Sequence, residues 1–385
     1  MQYRRLGRLD WKVSVLGFGA MRLPLANKES EEVDEPEAAK MMRYAIDHGV
    51  NYIDTAYPYH QGKSEAIVGR VLRDGYRGKV KLTTKMPVWL VEDEKDFDRY
   101  LNEQLERLQI RKIDFYFLHG LTGERWSKMR DLGVLRWAEK AMAGGRFDHL
   151  GFSFHDNFDA FKQIVDSYDN WTSAQVQYNY MDVENQAGRR GVEYAADKGL
   201  AVVVMEPIRG GQLANPRGPV ADVWERAVRK RSPAAWALLW VWNQPEISVV
   251  LSGMSTMEQV VENVALANSA KPGILSPEDQ ILINQARGAY KGLAPIPCTS
   301  CKYCMPCSSG VEIPTIFEMY NEAMIYEDAR EARWVYGRLK EEQRANACVK
   351  CGECTEACPQ QIDIPGWLEK VHVLLAPKKE SGASE

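Results

Sequence analysis

All eight cysteines of this 385-residue chain fall in two short runs near its C-terminus, and their spacing constrains the local fold strongly. The first run extends from Cys298 to Cys307, and the second extends from Cys348 to Cys358. The second run has the spacing C-x2-C-x2-C-x3-C-P, which is typical of chains that bind a [4Fe–4S] cluster. The first run differs in one respect, since two residues rather than three precede its last cysteine.

Two such runs predict two [4Fe–4S] clusters. The first three cysteines of each run are expected to bind one cluster, and the fourth is expected to reach the other cluster. Cys307 and Cys358 are therefore the predicted exchanged ligands. The full set of predicted ligands is Cys298, Cys301, Cys304, Cys307, Cys348, Cys351, Cys354 and Cys358.

Other uses of cysteine fit this spacing less well. Zinc sites use pairs of cysteines separated by a loop, whereas here four cysteines follow one another at short intervals. Disulfides are typical of secreted chains, and the residues after Met1 lack the apolar core of a secretory signal. We therefore expect reduced thiolates in a cytoplasmic protein.

The composition argues against a nucleic-acid-binding or membrane protein. The formal net charge is −4, so no broad basic surface for nucleic acid is expected. The sequence has no apolar run long enough to span a bilayer. The content of 45% apolar and 26% charged residues is ordinary for a globular protein.

Residues 1–295 alternate between strand-like and helix-like segments, which predicts an α/β fold. The predicted strands are Val13–Phe18, Asn51–Thr55, Val80–Lys85, Asp114–His119, His149–Phe154, Ala174–Tyr178, Ala201–Met205 and Ser248–Leu251. Helical patterns lie between them, and one is predicted to extend from Trp126 to Ala143. Eight such units favour a closed (β/α)8 barrel, a TIM barrel, over an open doubly wound sheet. The first residues, with turn residues Gly7 and Asp10, are expected to form a hairpin across the bottom of the barrel.

These patterns divide the chain into four parts. Residues 1–275 form the predicted barrel, and residues 276–294 form a linker helix. Residues 295–370 form a predicted helical, ferredoxin-like domain that holds the two clusters. Residues 371–385 are predicted to be a disordered tail.

Polar residues at the ends of three consecutive predicted strands form a candidate site, because active sites of such barrels lie at the C-terminal ends of the strands. Asp54 ends the second strand, and Tyr57 and Tyr59 follow it. Lys85 ends the third strand and His119 ends the fourth. An ammonium group lowers the pKa of a nearby phenol, and a carboxylate keeps the ammonium charged. These residue types predict protonation of a carbonyl oxygen as hydride reaches its carbon, but they do not choose between the two tyrosines.

From Arg4 to Asn268 the chain resembles the aldo-keto reductase family. The matching stretches are Asp54-Thr-Ala-x-x-Tyr59 with Ser64-Glu65, Lys85, Asp114–His119, Gly151–Ser153, Gln175–Asn179, Pro207–Gly211 and Glu262-Asn263. The resemblance implies a catalytic tetrad of Asp54, Tyr59, Lys85 and His119. Tyr59 has the family's spacing from Asp54, which makes it the implied general acid. Lys85 and Asp54 would adjust the pKa of its hydroxyl, and His119 would orient the carbonyl group.

The resemblance also implies NAD(P)H, bound in an extended form without a GxGxxG loop. The implied contacts are Ser153, Gln175, Met205, Pro207, Arg209, Gly211, Gly253, Gln259, Glu262 and Asn263. Met205 departs from the family's pattern, which often has an aromatic residue beneath the nicotinamide. Gly253 and Gln259 stand where better-known members place Lys and Arg against the 2′-phosphate of NADP(H). The choice between NAD(H) and NADP(H) therefore stays open.

A smaller group of the family carries a helical two-cluster module at its C-terminus, and this chain resembles that group over its whole length. The resemblance includes Met305-Pro306-Cys307 and Gly151-Phe-Ser-Phe-His155. We therefore expect an NAD(P)H-dependent oxidoreductase that acts on aldehydes and ketones or on the corresponding alcohols. The clusters are expected to transfer electrons, and a redox protein is a candidate partner. The loops Gly120–Lys128 and Gly210–Val223 are expected to line the substrate pocket.

Two other interpretations remain open at this stage. Nicotinamide transfers two electrons as a hydride, whereas each cluster transfers one electron. The clusters could therefore be structural or sense redox state in a plain carbonyl reductase. The chain could also be a non-catalytic electron-transfer subunit with a relic barrel, although the intact tetrad argues against this. The sequence has no flavin motif to join the two kinds of transfer, although such barrels can hold a flavin phosphate near their last loops.

Overall fold

The computed structural model describes residues 1–27 and 31–376, which form two compact units. The barrel unit comprises residues 1–215 and 231–280. The cysteine unit comprises residues 216–230 and the chain from residue 281 onward. Residues 216–230 thus differ from the sequence-based division, which assigned them to the barrel. No helix within the described residues has the length and apolar character needed to cross a membrane.

The chain begins with a hairpin, as the sequence predicts. Strand β1 (Tyr3–Arg5) pairs antiparallel with strand β2 (Lys12–Ser14). The turn between them needs a glycine, because Gly7 has φ +53° and a Cβ there would lie 2.4 Å from the backbone nitrogen of Ala201. Leu6, beside this glycine, packs into an apolar cluster with residues of the barrel strands. Since Ala201 begins a barrel strand, the hairpin lies at the N-terminal end of the barrel.

The barrel predicted from the sequence is confirmed. Its strands are β3 (Leu16–Gly19), β4 (Tyr52–Asp54), β5 (Lys81–Met86), β6 (Ile113–Leu121), β7 (Phe147–Phe154), β8 (Ser173–Gln177), β9 (Ala201–Met205) and β10 (Ile247–Ser252). Among the described residues, these eight strands close in the order β10-β3-β4-β5-β6-β7-β8-β9, with every neighbouring pair parallel. Because all strands run in one direction, their C-terminal ends meet on one face.

Helices follow the barrel strands. They are α1 (Glu35–Asp47), α2 (Ser64–Val71), α3 (Lys95–Leu108), α4 (Gly123–Asp131), α5 (Val134–Ala143), α6 (Phe158–Asp166), α7 (Gly188–Asp197), α8 (Pro219–Glu225, grouped with the cysteine unit), α9 (Pro233–Trp242) and α10 (Met257–Ala267). Short 3-10 turns occupy Ala20–Arg22, Tyr76–Lys79, Val88–Leu90 and Arg209–Gly211. Several helices begin at a side-chain cap; for example, Thr122 accepts a hydrogen bond from the Arg125 N–H at the start of α4.

The single helix predicted from Trp126 to Ala143 is wrong, because the segment contains the end of α4 and all of α5. Gly133 separates the two helices with φ +81°, a left-handed conformation that ends an α-helix. Apolar periodicity continues across this glycine, which explains why the sequence pattern did not show the break.

The cysteine unit is mainly helical. Its helices are α8, the C-terminal part of α11 (Pro277–Gly292), α12 (Ile313–Ile325), α13 (Arg330–Arg338), α14 (Glu353–Glu356) and α15 (Ile364–Leu375), with 3-10 turns at Glu341–Gln343 and Ala345–Ala347. Phe317, Tyr336 and Leu368 lie in its apolar core. The predicted tail starts too early, because α15 continues to Leu375, whose side chain is fully buried. Residues 377–385 lie outside the described residues.

Candidate active site and cluster region

Three of the four predicted tetrad residues are in direct contact at the C-terminal ends of β4 and β5. The ammonium group of Lys85 donates hydrogen bonds to Asp54 Oδ1 at 2.6 Å and to the backbone oxygen of Thr55 at 2.9 Å. It also lies 3.3 Å from the hydroxyl of Tyr59. The Lys85 side chain is completely buried and that of Asp54 is 3% exposed. A phenol, an ammonium and a carboxylate thus form one chain of contacts, in which the ammonium and the carboxylate are shielded from water.

His119 completes this group from β6. Its ring lies 5.9 Å from the ring of Tyr59, measured between centroids, and the two planes meet at 84°. Trp89 packs on it from the turn after β5, with 5.0 Å between ring centroids. The Nδ1 atom of His119 is buried without a hydrogen-bond partner among the described residues. A ring nitrogen of His119 is therefore free to take part in a new hydrogen bond.

Burial controls the protonation of these residues. Burial raises the pKa of the Tyr59 hydroxyl, and Lys85 offsets only part of this effect. The predicted lowering by Lys85 is therefore present but smaller than the effect of burial, and Tyr59 stays protonated at neutral pH. Burial opposes the charge of Lys85, but Asp54 and Tyr59 together raise the pKa of its ammonium group. Burial, followed by the charge of Lys85, lowers the pKa of His119 well below its usual value, so the imidazole is neutral.

Tyr57 points to a different environment from Tyr59. Its hydroxyl donates a hydrogen bond to Glu103 at 2.9 Å, and the guanidinium of Arg107 lies 4.1 Å from its ring centroid. Both partners belong to helix α3. The structure thus favours Tyr59 over Tyr57 as the tyrosine that contacts Lys85, a choice that the residue types alone left open.

A buried network of polar side chains holds the strand end that carries Lys85. The side-chain amide of Gln104 donates hydrogen bonds to Glu65 Oε1 and to the backbone oxygen of Lys85, at 2.5 and 3.1 Å. Thr84 also donates to Glu65, and Tyr116 donates to the amide oxygen of Gln104. All four of these supporting side chains are fully buried. The strand end that carries Lys85 is therefore held from the outside of the barrel by hydrogen bonds.

A cleft of about 300 Å³ opens from Tyr59 along the ends of the last strands. The predicted site residues that line it are Asp54, Tyr59, Gln175, Met205, Pro207, Gly211, Gly253 and Gln259. Gln175 donates a hydrogen bond to the sulfur of Met205 at 3.5 Å, and its amide oxygen is buried without a partner among the described residues. That oxygen can accept a hydrogen bond from a bound molecule.

The other four residues predicted to contact the nucleotide form hydrogen bonds or an ion pair within the protein. Ser153 Oγ accepts a hydrogen bond from the Gly120 N–H at 2.7 Å. Arg209 pairs with Asp182 at 2.9 Å. Asn263 donates to Ser252, which lines the cleft, at 3.1 Å, and Glu262 accepts a hydrogen bond from Ser232. None of these four is among the residues that line the cleft in the described part of the chain.

Sequence analysis missed Arg22, which lies at the end of the first barrel strand and lines the cleft. Its side chain extends over Gly253, where an added Cβ would lie 3.3 Å from Arg22 Cβ, and reaches Gly210, where an added Cβ would lie 3.0 Å from Nη2. Arg22 forms no ion pair with another of the described residues. A guanidinium therefore lies near Gly253, where the sequence showed no positive charge. The sequence could have indicated Arg22 only through its position just after the end of a strand.

The cysteines of the cysteine unit line two cavities. Cys298, Cys301, Cys304 and Cys358 line one of them. Cys307, Cys348, Cys351 and Cys354 line the other, which Cys304 also borders. All eight are free thiols. Each cavity thus combines three cysteines of one run with the fourth cysteine of the other run, a donor set that fits a [4Fe–4S] cluster.

Comparisons with known proteins agree with this architecture. Residues 15–272 match the model of the aldo/keto reductase family. The chain belongs to the aldo/keto reductase family. Residues 297–362 of this aldo/keto reductase match a 4Fe-4S dicluster domain. The barrel and the cysteine unit therefore correspond to two known kinds of domain in one chain.

This aldo/keto reductase is similar to oxidoreductases from several kingdoms. It is 26% identical over 305 residues to an uncharacterized oxidoreductase of Bacillus subtilis, which covers 69% of this chain and 90% of the relative. It is 26% identical over 285 residues to L-galactose dehydrogenase of Arabidopsis thaliana, with coverages of 69% and 88%. The holo form of an aldo-keto reductase from Bacillus halodurans has a TM-score of 0.62 and 26% identity, and covers 74% of this chain and 96% of that one. The chain is therefore an enzyme of the oxidoreductase class.

Proposed function

We propose that this aldo/keto reductase is an NAD(P)H-dependent reductase of aldehydes and ketones with Tyr59 as the general acid. The observation that carries the proposal is the buried contact of Lys85 with both Asp54 and Tyr59. Such a lysine keeps the proton donor in one place and stabilises the phenolate that forms when the proton leaves. The reverse reaction, oxidation of the corresponding alcohol, uses the same groups.

The chemistry balances with one hydride and one proton. Reduced nicotinamide supplies the hydride, which carries two electrons to the carbonyl carbon. Tyr59 donates its hydroxyl proton to the carbonyl oxygen as the C=O π bond breaks, and the product is an alcohol. Lys85 stabilises the Tyr59 phenolate until a proton from solvent replaces the one transferred. Neutral His119 orients the carbonyl oxygen through a ring nitrogen.

The cleft that begins at Tyr59 is the proposed nucleotide site. Gln175 would bind the carboxamide with its unpartnered oxygen, and Met205 would pack beneath the nicotinamide. Gly253 and Gln259 would lie beside the phosphates and the adenosine, and Arg22 supports this placement because it brings positive charge to that part of the cleft. Phosphate binds well to an unpaired guanidinium. Ser153, Arg209, Glu262 and Asn263 would have to exchange or share their present partners to contribute.

We propose two [4Fe–4S] clusters with exchanged fourth ligands. Cys298, Cys301, Cys304 and Cys358 would hold one cluster. Cys307, Cys348, Cys351 and Cys354 would hold the other. The backbone N–H of Lys350 donates a hydrogen bond to Cys348 Sγ at 3.4 Å, a contact that would influence the reduction potential of a cluster bound there. Such clusters supply one-electron transfer, and a redox protein is the proposed partner for it.

An anaerobic titration tests both the proposed reductase activity and the proposed electron transfer by the clusters. The purified protein is titrated with NADH and then with NADPH, and the clusters are followed by electron paramagnetic resonance while aldehyde reduction is measured. Aldehyde turnover is expected with at least one nucleotide. Reduced-cluster signals on nucleotide addition would support electron exchange between the nucleotide and the clusters. Turnover with clusters that stay oxidised would favour the plain carbonyl reductase. Absence of turnover with both nucleotides would contradict the proposed activity.

A further inference from the structure

Three side chains that do not line the cleft lie near His119. Trp89 belongs to the 3-10 turn after β5, Arg125 belongs to α4, and His155 follows β7. Neither Trp89 nor Arg125 lines the nucleotide cleft in the described part of the chain. Trp89 is 40% exposed although its indole packs on the ring of His119, a partly buried residue. The catalytic group is thus bordered by an aromatic surface that remains accessible from outside.

Arg125 lies next to this surface in a fixed position. Its Nη1 atom donates a hydrogen bond to the backbone oxygen of Gly120 at 2.7 Å, which ties the guanidinium to the residue after His119. The guanidinium carbon lies 5.8 Å from the ring centroid of Trp89. Arg125 is exposed and forms no ion pair with any described residue. Since a guanidinium has five N–H donors in a planar fork, the bond to Gly120 leaves donors for a second partner.

Gly120 keeps the space beside Arg125 open. It has φ +66°, a conformation that other residues rarely adopt, and an added Cβ would lie 3.2 Å from Arg125 Nη1 and 3.9 Å from His155 Cδ2. A side chain at this position would therefore crowd both groups. The structure thus combines His119, the exposed indole of Trp89 and a guanidinium without an ion pair among the described residues, and Gly120 places no side chain between Arg125 and His155.

We propose that Arg125 binds an anionic group, a carboxylate or a phosphate, on the carbonyl substrate. This inference rests on the proposed function, because it assigns a substrate class to the same site. The carbonyl group of the substrate would lie at Tyr59 and His119, its body would pack on Trp89, and its anionic end would accept hydrogen bonds from the Arg125 fork. Arginine is suited to this role because its donors match both oxygens of a carboxylate or phosphate.

The charges around His119 agree with an anionic substrate. Burial is the main reason for the low pKa of His119, and the positive charges of Lys85 and Arg125 lower it further. Asp54 offsets the charge of Lys85, whereas Arg125 has no carboxylate partner among the described residues. The guanidinium of Arg125 therefore disfavours a cationic substrate and favours an anionic one in the adjacent space. Arg22 lines the nucleotide cleft and Arg125 does not. Arg125 is therefore available to bind the substrate rather than the nucleotide.

Matched aldehydes test this inference on the holoenzyme with both clusters intact. 4-Carboxybenzaldehyde and 4-formylphenyl phosphate provide the two anions, and 4-formylbenzamide is the neutral control. The wild type is expected to prefer at least one anionic aldehyde over the amide by roughly ten- to hundredfold in kcat/KM. Arg125→Gln should remove this preference through KM with little change in kcat, and Arg125→Lys should restore part of it. The preferred anion distinguishes carboxylate from phosphate.

Arg130→Gln is the matched control, because Arg130 lies on the same helix and pairs with Asp131 on the surface. It should leave all three substrates unchanged. Equal rates on all three aldehydes in the wild type, or an equal loss on all three in Arg125→Gln, would overturn the inference while leaving the reductase activity standing. If no aldehyde reacts with either nucleotide, the proposed function fails, and calorimetry of benzoate against benzamide still decides whether Arg125 binds anions.

Discussion

The ammonium group of Lys85 lies 2.6 Å from the carboxylate of Asp54, and both side chains are almost completely shielded from water. A pair in this position is costly to break, since the remaining charge would stay buried without a counter-ion. The same lysine contacts Tyr59, so the pair contributes both to the stability of the barrel and to the proposed active site.

The first prediction concerns this pair. Asp54→Asn leaves Lys85 buried without a carboxylate, and we expect the free energy of unfolding to fall by about 3 kcal/mol. Chemical denaturation of the wild type and the variant, followed by circular dichroism, measures the change. Asp10→Asn is a control on an exposed residue and should change stability little. An Asp54→Asn variant as stable as the wild type would mean that Lys85 loses its charge easily.

The second prediction separates the two tyrosines. Tyr59→Phe removes the proposed proton donor and should lower the rate of aldehyde reduction by roughly 100- to 10,000-fold. Tyr57→Phe is its matched control, because that hydroxyl contacts Glu103 on α3 rather than Lys85. Single-turnover kinetics with saturating nucleotide measures both variants. Equal losses in the two variants, or no loss in Tyr59→Phe, would contradict the site assignment.

The third prediction is a wide pH plateau. Burial, followed by the charge of Lys85, lowers the pKa of His119 well below its usual value, and burial raises the pKa of Tyr59 above its usual value. His119 is therefore neutral and Tyr59 is protonated around neutral pH, so the rate of hydride transfer to an aldehyde should be constant between about pH 7 and about pH 9. It should fall at higher pH as Tyr59 loses its proton. A single-turnover rate that changes tenfold near neutral pH would contradict this account.

The fourth prediction tests the exchange of cluster ligands. Cys307→Ser should impair the cluster bound by the second cysteine run, and Cys358→Ser should impair the cluster bound by the first run. Iron content and the cluster signals in paramagnetic resonance would report the loss, with Glu318→Gln, an exposed residue of α12 that lines neither cavity, as the control. If each variant instead lost the cluster of its own run, the ligands would not be exchanged. The barrel should stay folded in both variants, since metal binding supports only the small domain.

Much of this fold could be predicted because buried parallel strands give short apolar segments between helices. The pattern placed β9 at Ala201–Met205, the range that the structure shows. The candidate active-site residues could be proposed because each lies in or just after the C-terminal part of a strand and because their spacing resembles a known family. The break at Gly133 was missed, since the apolar pattern of the two helices continues through it.

The remaining features depend on contacts between distant parts of the chain. The direction of the Tyr59 pKa shift follows from burial of its hydroxyl, which no local sequence pattern shows. Arg22 fills space left by Gly210 and Gly253, which are far from it in the sequence. Arg125 becomes a candidate for substrate binding only because Gly120 and Trp89 place it beside His119. Side-chain packing, rather than strand order, was the part that sequence analysis could not supply.

The fifth prediction concerns Arg22. Arg22→Gln should weaken nucleotide binding by roughly tenfold, because a charge-assisted hydrogen bond to phosphate is lost. Equal weakening for NADH and NADPH would assign Arg22 to the pyrophosphate, whereas weakening for NADPH alone would assign it to the 2′-phosphate. Fluorescence titration measures both constants, and Arg136→Gln, on the surface of α5, serves as the control. Unchanged binding of both nucleotides would remove Arg22 from the site.

The most direct test of the central claim is the fate of the nicotinamide hydrogen. The wild type is given an aldehyde and reduced nucleotide deuterated at both hydrogens of the nicotinamide C4, and the alcohol is analysed by mass spectrometry. We predict one deuterium on the carbinol carbon in every product molecule, since hydride passes directly to the substrate while Tyr59 supplies the proton. A product without deuterium would mean that the electrons travel through the clusters and that hydrogen comes from water, which would contradict the account.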